Sequence, residues 1–499
     1  MNKAAKLIHI ETVKQQPVAL PKKISNPIDY YIILFICDIL SLFISLFFAC
    51  ILRDFLNHIF LSLPKFSIYP EGIKLLFSYW LFLPLLLSLF FHRLYDKRLP
   101  FWEEIREVYS ALFSGFMFLY ALIFLTKHSS EISRLTVGLW LIFSFFFVPA
   151  IRYVLKNLLF SFKRYTLNTL IIGSGVIGQS LARTLKEEKY LGYRVVAFLD
   201  EKASITRKPK NIKVFYTLEC LPRLVRLMQI ECIFIAAPNL SLSRLVEVYT
   251  LSQRLVKEVF IIPEFYSLGI LNADIACFLN QKIFAIRTQN KSFALFNKIL
   301  KRFLDIILVI VSLPLVLPLL VLISIAIKLD SPGPIFFRHL RLGEKGKVFY
   351  LWKFRTMYTD SDKMFENYLK QNPEAASEWY RFRKLRHDPR ITRVGRFLRR
   401  FSLDELPQIF NILRGEMSWV GPRPITLEEY ELYYQEQGAF YFSVKPGLTG
   451  LWQVSGRNLL PFEERIHLDV WYVLNWSFWL DFIILIRTVG AVLSAKGSF

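Results

Sequence analysis

Ile306–Ile327 reads IILVIVSLPLVLPLLVLISIAI, a run with no charged residue. At about 1.5 Å of rise per residue, a helix of this length covers the roughly 30 Å of a bilayer core. Two features argue against a simple crossing. Lys298, Lys301 and Arg302 precede the run, and Lys328, Arg338 and Arg341 follow it, so both flanks favour the cytoplasmic face. Pro314 and Pro318 lie inside it, and each removes a helix hydrogen bond. A broken, re-entrant helix hairpin over 298–329, entering and leaving on one face, meets all of these observations. A fifth crossing would instead put the basic remainder outside.

Upstream of a linker at 266–297, residues 166–265 follow a different pattern. Strand-like stretches at Thr169–Ile172, Arg194–Leu199, Cys232–Ala236 and Val259–Ile262 alternate with helical ones. That is a βα pattern and implies a parallel sheet. Gly173, Gly175 and Gly178 in GSGVIG have G-x-G-x-x-G spacing after the first strand, with Asp200 further on. In this context the motif predicts a Rossmann-like fold, with a pyrophosphate at a helix N-terminus. A scaffold of the same fold that binds little is the equal alternative. No Tyr-x-x-x-Lys pair of a sugar-nucleotide dehydratase occurs here.

Further upstream, apolar runs at Tyr30–Leu52, Leu75–Phe91, Val108–Leu125 and Leu135–Ile151 predict four membrane spans within 29–156. The tail 1–28 carries Lys3, Lys6, Lys14, Lys22 and Lys23. The second loop carries Arg93, Lys97, Arg98 and Arg106, and Arg152, Lys156, Lys163 and Arg164 follow the fourth run. Positive-inside places the tail, the second loop and everything after residue 152 in the cytoplasm. Asp38, inside the first run, is read as a snorkelling or helix-contacting side chain in preference to a functional one.

The chain of 499 residues is 54% hydrophobic yet carries a formal charge of +23, which fits a membrane-and-soluble mosaic that meets lipid headgroups or phosphorylated substrates rather than nucleic acid. Its five scattered cysteines form no C-x-x-C, which argues against a disulfide framework or zinc site.

The chemistry concentrates in 330–499. In FSLDELPQIF, Ser402 and Glu405 form S-x-x-E, the pattern of a capping box, with Asp404 in the first turn. Alone, this predicts a helix start. Around it lie Arg399 and Arg400, Arg423 in GPRP, Lys353 and Arg355 in KFRTM, and Arg457 in SGRN. Cations gathered at a helix start that bears two carboxylates describe a phosphate site with a metal. Two adjacent carboxylates facing a diphosphate suit Mg²⁺, and an ionised carboxylate can attack phosphorus.

Three segments carry a resemblance: KRFLDIILVI with LDSPGPIFFRHLRLGEKGKVFYLWKFRTM, then DPRITRVGRFLRRFSLDELPQIFNILRGEMSWVGPRP, then KPGLTGLWQVSGRN. From about residue 298 onwards the chain resembles the bacterial polyprenyl-phosphate hexose-1-phosphate transferases. The ending NWSFWLDF is most similar to the undecaprenyl-phosphate galactose phosphotransferase branch. The resemblance implies a four-span membrane bundle, an α/β Rossmann-like domain and a membrane-associated, mostly α catalytic domain with a re-entrant helix broken at Pro318, and at Pro314.

It implies that Asp404 attacks UDP-galactose and releases UMP, with Mg²⁺ on Glu405, and that undecaprenyl phosphate then takes the sugar phosphate. Arg399, Arg423 and Arg457 match phosphate-holding positions. Such a protein sits in the bacterial inner membrane with its catalytic domain in the cytoplasm, and primes O antigen, capsule or exopolysaccharide. UDP-glucose is the alternative donor. A membrane scaffold with a nucleotide-sensing domain is the alternative of another class. The Rossmann-like domain is left as a regulatory site or a homodimer contact. Leu317, Phe401 and Trp419 depart from the usual Ser, Thr and Leu of the family.

Overall fold

The computed structural model describes residues 28–60, 79–126, 133–200, 212–238, 240–262, 274–278, 283–287, 295–359, 364–365, 368, 370–372, 388–434, 437–456 and 461–494. The chain divides into two compact units, Met1–Glu264 and Phe265–Phe499.

The first unit opens with α1 (Ile28–Phe60), α2 (Leu83–Phe91), α3 (Phe101–Leu125) and α4 (Arg134–Leu159). Leu42, Leu46, Leu85, Leu112, Phe116 and Trp140 form its core. The spans Asp29–His58, Phe101–Leu125 and Arg134–Ser161 are long and apolar enough to cross a membrane. The expected run Leu75–Phe91 is described only from Tyr79, and its earlier part lies outside the described residues.

Arg152 and Lys156 are not loop cations. They lie in α4, almost fully buried. Arg152 donates to both carboxylate oxygens of Asp38 at 2.6 Å and to Glu104 at 3.0 Å, while Lys156 also pairs with Glu104. Tyr95 donates to Asp38 at 2.7 Å. Charges buried in a bundle must be paired, so Asp38 is a structural ion pair rather than a snorkelling side chain.

The α/β part is a parallel five-stranded sheet in the order β3-β2-β1-β4-β5: β1 (Leu167–Ile172), β2 (Tyr193–Leu199), β3 (Lys213–Phe215), β4 (Cys232–Ile235) and β5 (Glu258–Ile261). Helices α5 (Val176–Glu187), α6 (Leu221–Leu227) and α7 (Leu242–Leu255) connect them. Both faces of the sheet are covered, which is why β4 is buried throughout. Tyr190, after α5, donates to Glu104 of α3, so this domain is tied to the bundle's charge network.

The second unit corrects one expectation and adds detail to another. The segment expected as linker, 266–297, contains an antiparallel hairpin of β6 (Asp274–Phe278) and β7 (Ile283–Arg287). The apolar run is one helix, α8 (Leu295–Asp330), with both Pro314 and Pro318 inside it. Helical structure therefore continues through both prolines. Both arms serve one core, because Val309 and Ile327 pack in the same cluster with Leu351, Phe354 and Ile412.

After α8 come the hairpin β8 (Phe336–Leu342) and β9 (Val348–Phe354), then α9 (Arg393–Arg400) and α10 (Ile409–Arg414). The short strands β10 (Ser418–Val420) and β11 (Gly447–Thr449) pair in parallel. Three helices finish the described chain: α11 (Leu451–Ser455), α12 (Phe462–Leu474) and α13 (Phe478–Ser494).

Candidate active site

Asp404 and Glu405 sit on a 3-10 turn, Leu403–Gln408, that leads into α10. The capping box expected of Ser402 and Glu405 is absent. Ser402 is left-handed (φ 56°) and makes no side-chain cap, and the Glu405 carboxylate turns away to accept from Lys353 Nζ at 2.6 Å. A capping box forms instead at Thr426 and Glu429. A non-glycine residue at positive φ stores strain, and such residues gather at functional sites. Here it lies two residues before Asp404.

Lys353 comes from β9. Asn411 of α10 fixes that strand by accepting from Trp352 N at 3.1 Å and donating to Tyr350 O at 2.7 Å. This registers Lys353 against the carboxylate turn, with its Nζ 3.9 Å from Asp404 Oδ2. Burial pushes the Asp404 carboxyl up to about 6; Lys353 pulls it down, Glu405 pushes it up and Arg399 pulls it down again.

The turn opens into a cavity of about 1090 Å³ with two kinds of wall. Lys353, Arg390, Arg399 and Arg423 supply cations, while Trp419, Leu448, Leu485, Val489 and Val492 supply apolar surface. Arg399 Nε donates to Thr356 Oγ1 at 2.9 Å, and burial lowers its pKa. Arg423 lies over Trp452, at 5.4 Å from the ring centre, with Arg465 over the same ring at 4.9 Å.

Asp404, Glu405, Lys353, Arg399 and Arg423 converge. Arg355 lines the cavity, but its Nη atoms are occupied: they donate to Ser331 O, Ser331 Oγ and Pro332 O at 2.7–2.9 Å. Its Nη atoms pin the turn that follows α8, while its Nε has no hydrogen-bond partner among the described residues. Arg457 lies outside the described residues. Arg390, which is fastened to Asp388 at 2.6 Å, was missed, as were Asn411, Trp452, Arg465 and Asp469. Arg465 and Asp469 are four apart on α12, a spacing that puts them on one helix face and was readable. Asp469 is fully enclosed, accepts from Tyr434 at 2.9 Å, and burial raises its carboxyl to about 7.

Away from this cavity, Asp200 does not stand ready for a ribose. Its Oδ2 accepts from Ser174 N at 2.8 Å and Ser174 Oγ at 2.5 Å, closing the glycine loop on itself. Gly173 (φ 105°) is required by packing, because a Cβ there would lie 2.3 Å from Ala236 O. Gly178 is required likewise: its Cβ would lie 2.0 Å from Gly173 O.

Residues 296–495 match the profile of the bacterial sugar transferases, and residues 95–263 match that of a CoA-binding domain. The chain is 35% identical over 412 residues to an undecaprenyl-phosphate galactose phosphotransferase of Salmonella typhimurium, covering 82% of this chain and 84% of that protein. It is 35% identical over 414 residues to a UDP-galactose-lipid carrier transferase of Erwinia amylovora, with 82% and 84% covered. A UDP-glucose:undecaprenyl-phosphate glucose-1-phosphate transferase of Xanthomonas campestris pv. campestris is 29% identical over 413 residues, with 79% and 81% covered.

Proposed function

This chain belongs to the bacterial sugar transferase family, and on that premise we propose that it transfers galactose-1-phosphate from UDP-galactose to undecaprenyl phosphate, releasing UMP and priming a bacterial glycan. The observation that carries this reading is Asp404, a largely buried carboxylate 3.9 Å from Lys353 at the junction of a cationic and an apolar wall. The cationic wall suits a diphosphate. The apolar wall suits the first isoprene units of a lipid phosphate.

An Asp404 carboxylate oxygen attacks the sugar-bearing phosphorus of UDP-galactose. The bond from that phosphorus to the bridging oxygen breaks, and UMP leaves with the electron pair. The phosphate oxygen of undecaprenyl phosphate then attacks the same phosphorus. The bond to Asp404 breaks, and undecaprenyl-diphosphate-galactose is formed. With its carboxyl at about 6, Asp404 is mostly ionised at neutral pH, as a nucleophile must be.

Arg399 and Arg423 offer charge-assisted hydrogen bonds to phosphate oxygens. Glu405 fits Mg²⁺. It presents carboxylate oxygen beside Asp404, and the described residues hold no group of three metal-ligating side chains, so diphosphate and water would complete the shell, as is usual for this ion. When bound, the ion would neutralise charge on the diphosphate.

The protein is a membrane protein. We place the catalytic unit on the cytoplasmic side, where nucleotide-sugars are found. Galactose rests on the two relatives at 35% identity, and the glucose-specific relative keeps UDP-glucose as the second donor.

The test is a UDP-sugar panel scored by UMP release, on native protein and on Asp404→Asn. Native protein should turn over UDP-galactose best and the variant not at all. Release by the variant at the native rate refutes the nucleophile, and preference for UDP-glucose refutes the sugar.

A further inference from the structure

A second cavity, of about 220 Å³, lies at the start of α8. It is separate from the carboxylate turn and stands independently of the transferase reading. Two chemistries meet in it. On one side are Lys298, Arg302 and Lys445. Arg302 and Lys445 converge at Gly415, where a Cβ would lie 3.5 Å from Arg302 Nη2 and 3.6 Å from Lys445 Nζ. Arg302 is held by the carbonyls of Ile412 and Leu413 rather than by a carboxylate. Glu344 reaches Lys298 only at 3.4 Å. Burial and the Arg302 charge lower the Lys445 pKa, against the pull of Glu344 and Asp305.

Also lining the cavity are Lys301, which pairs with Asp481, and Asp305, only 4% exposed. Its Oδ1 accepts from the Ser418 hydroxyl and from Trp419 N, each at 3.0 Å. Its Oδ2 has no hydrogen-bond partner among the described residues. A buried carboxylate oxygen without a donor is costly, so the absence calls for an explanation.

Position narrows the ligand. On the outward face of the same turns, Phe296, Ile299, Phe303, Ile307 and Ile310 are exposed. Exposed apolar side chains on a helix long and apolar enough to enter a bilayer suit a lipid-facing stripe, and on that reading the cavity lies at the hydrocarbon boundary. A ligand there needs an anion for the cations, an N–H donor for Asp305 and a tail for the stripe.

We propose that this cavity seats the headgroup of a zwitterionic aminophospholipid, its phosphate towards Arg302 and Lys445 and its primary ammonium towards Asp305 Oδ2. The lipid would anchor the foot of α8 at a fixed depth.

The test is native mass spectrometry of the full chain extracted from vesicles of equimolar phosphatidylethanolamine, phosphatidylglycerol and phosphatidylcholine. Phosphatidylethanolamine should be retained, one per chain, roughly tenfold over the other two, the factor a charge-assisted hydrogen bond supplies. Phosphatidylcholine is the arm that does not depend on a variant folding, because its quaternary ammonium has no N–H to donate. Asp305→Asn should bring the ethanolamine-to-glycerol ratio close to one, and Lys445→Met should reduce retention of all three lipids. Equal retention of the three lipids by native protein overturns the proposal, and so does displacement of the lipid by inorganic phosphate alone, which would make the site one for a free anion.

Discussion

Lys353 and Glu405 act on Asp404 in opposite directions, and removing each in turn tests whether Asp404 is the attacking group. With its carboxyl at about 6, Asp404 goes from about nine-tenths ionised at pH 7 to about one-tenth at pH 5, so the first half-reaction should slow about tenfold over that interval. Lys353→Met removes a cation 3.9 Å from Oδ2. At that distance two unit charges interact by about 1 kcal/mol in a water-like medium and about 4 kcal/mol at an effective dielectric near 20. One pH unit corresponds to about 1.4 kcal/mol. Because Lys353 is shared with Glu405 at 2.6 Å, the lower end applies, and the acid limb should move up by about one pH unit. Glu405→Gln removes a like charge beside Asp404 and should move the limb down. The assay is single-turnover UMP release from pH 4.5 to 8.5, each variant scaled to its own plateau so that lost affinity does not enter. Two variants with the same acid limb as native protein would refute the nucleophile, however much activity each had lost.

Other predictions bear on topology and stability. A cysteine replacing the exposed Leu329 should react with a membrane-impermeant maleimide only from the cytoplasmic side; periplasmic labelling would make α8 a full crossing. Arg355→Met should lower stability by about 3 kcal/mol, because three oxygens of Ser331 and Pro332 lose their donor, and Arg355→Lys should not restore it; an unchanged melting temperature would refute the pinning role. Asp469 has its carboxyl raised to about 7, above the unfolded value near 4, so the native state holds the extra proton and stability falls as pH rises across that window. Asp469→Asn should therefore raise the thermal midpoint more at pH 8 than at pH 5; an equal change at both would refute the buried titration.

The α/β sheet was legible because every strand leaves a local record. β1, β2, β4 and β5 are apolar runs bounded by turns, and only β3, three residues long, is too short for a pattern to appear. The polar network of the bundle was not legible. Arg152 and Lys156 read as the flank of a span, since their partners Asp38 and Glu104 lie 114 and 52 residues away and only packing reveals the pairing. Each proline of α8 removes one backbone bond, yet helical structure continues on both sides, and Val309 and Ile327 from the two arms share one core. For Arg355, residue type reports charge and not which carbonyls a fold brings to it. In the site, Asp404, Glu405 and Lys353 were readable from type and spacing, whereas Asn411, which registers Lys353 against the turn, carries no such signal.

In the proposed reaction the two carboxylates divide their work through geometry rather than sequence. As neighbours in one S-x-x-E pattern, they should have behaved alike, one as cap and one as dipole partner. Ser402 at φ 56° prevents that, since a left-handed residue at this point turns the chain so that no cap forms and Glu405 is released to Lys353. Glu405 then takes the short bond at 2.6 Å, and Asp404 is left at 3.9 Å, near enough to be held ionised and too far to be neutralised. That position suits an attacking group: a cation within Coulombic reach that is not hydrogen-bonded to the carboxylate. The strain at Ser402 therefore has a chemical consequence. Relaxing it by Ser402→Gly should preserve the turn, whereas a β-branched residue at the same φ should disturb it, pull Asp404 into or out of the Lys353 bond, and slow UMP release in either case.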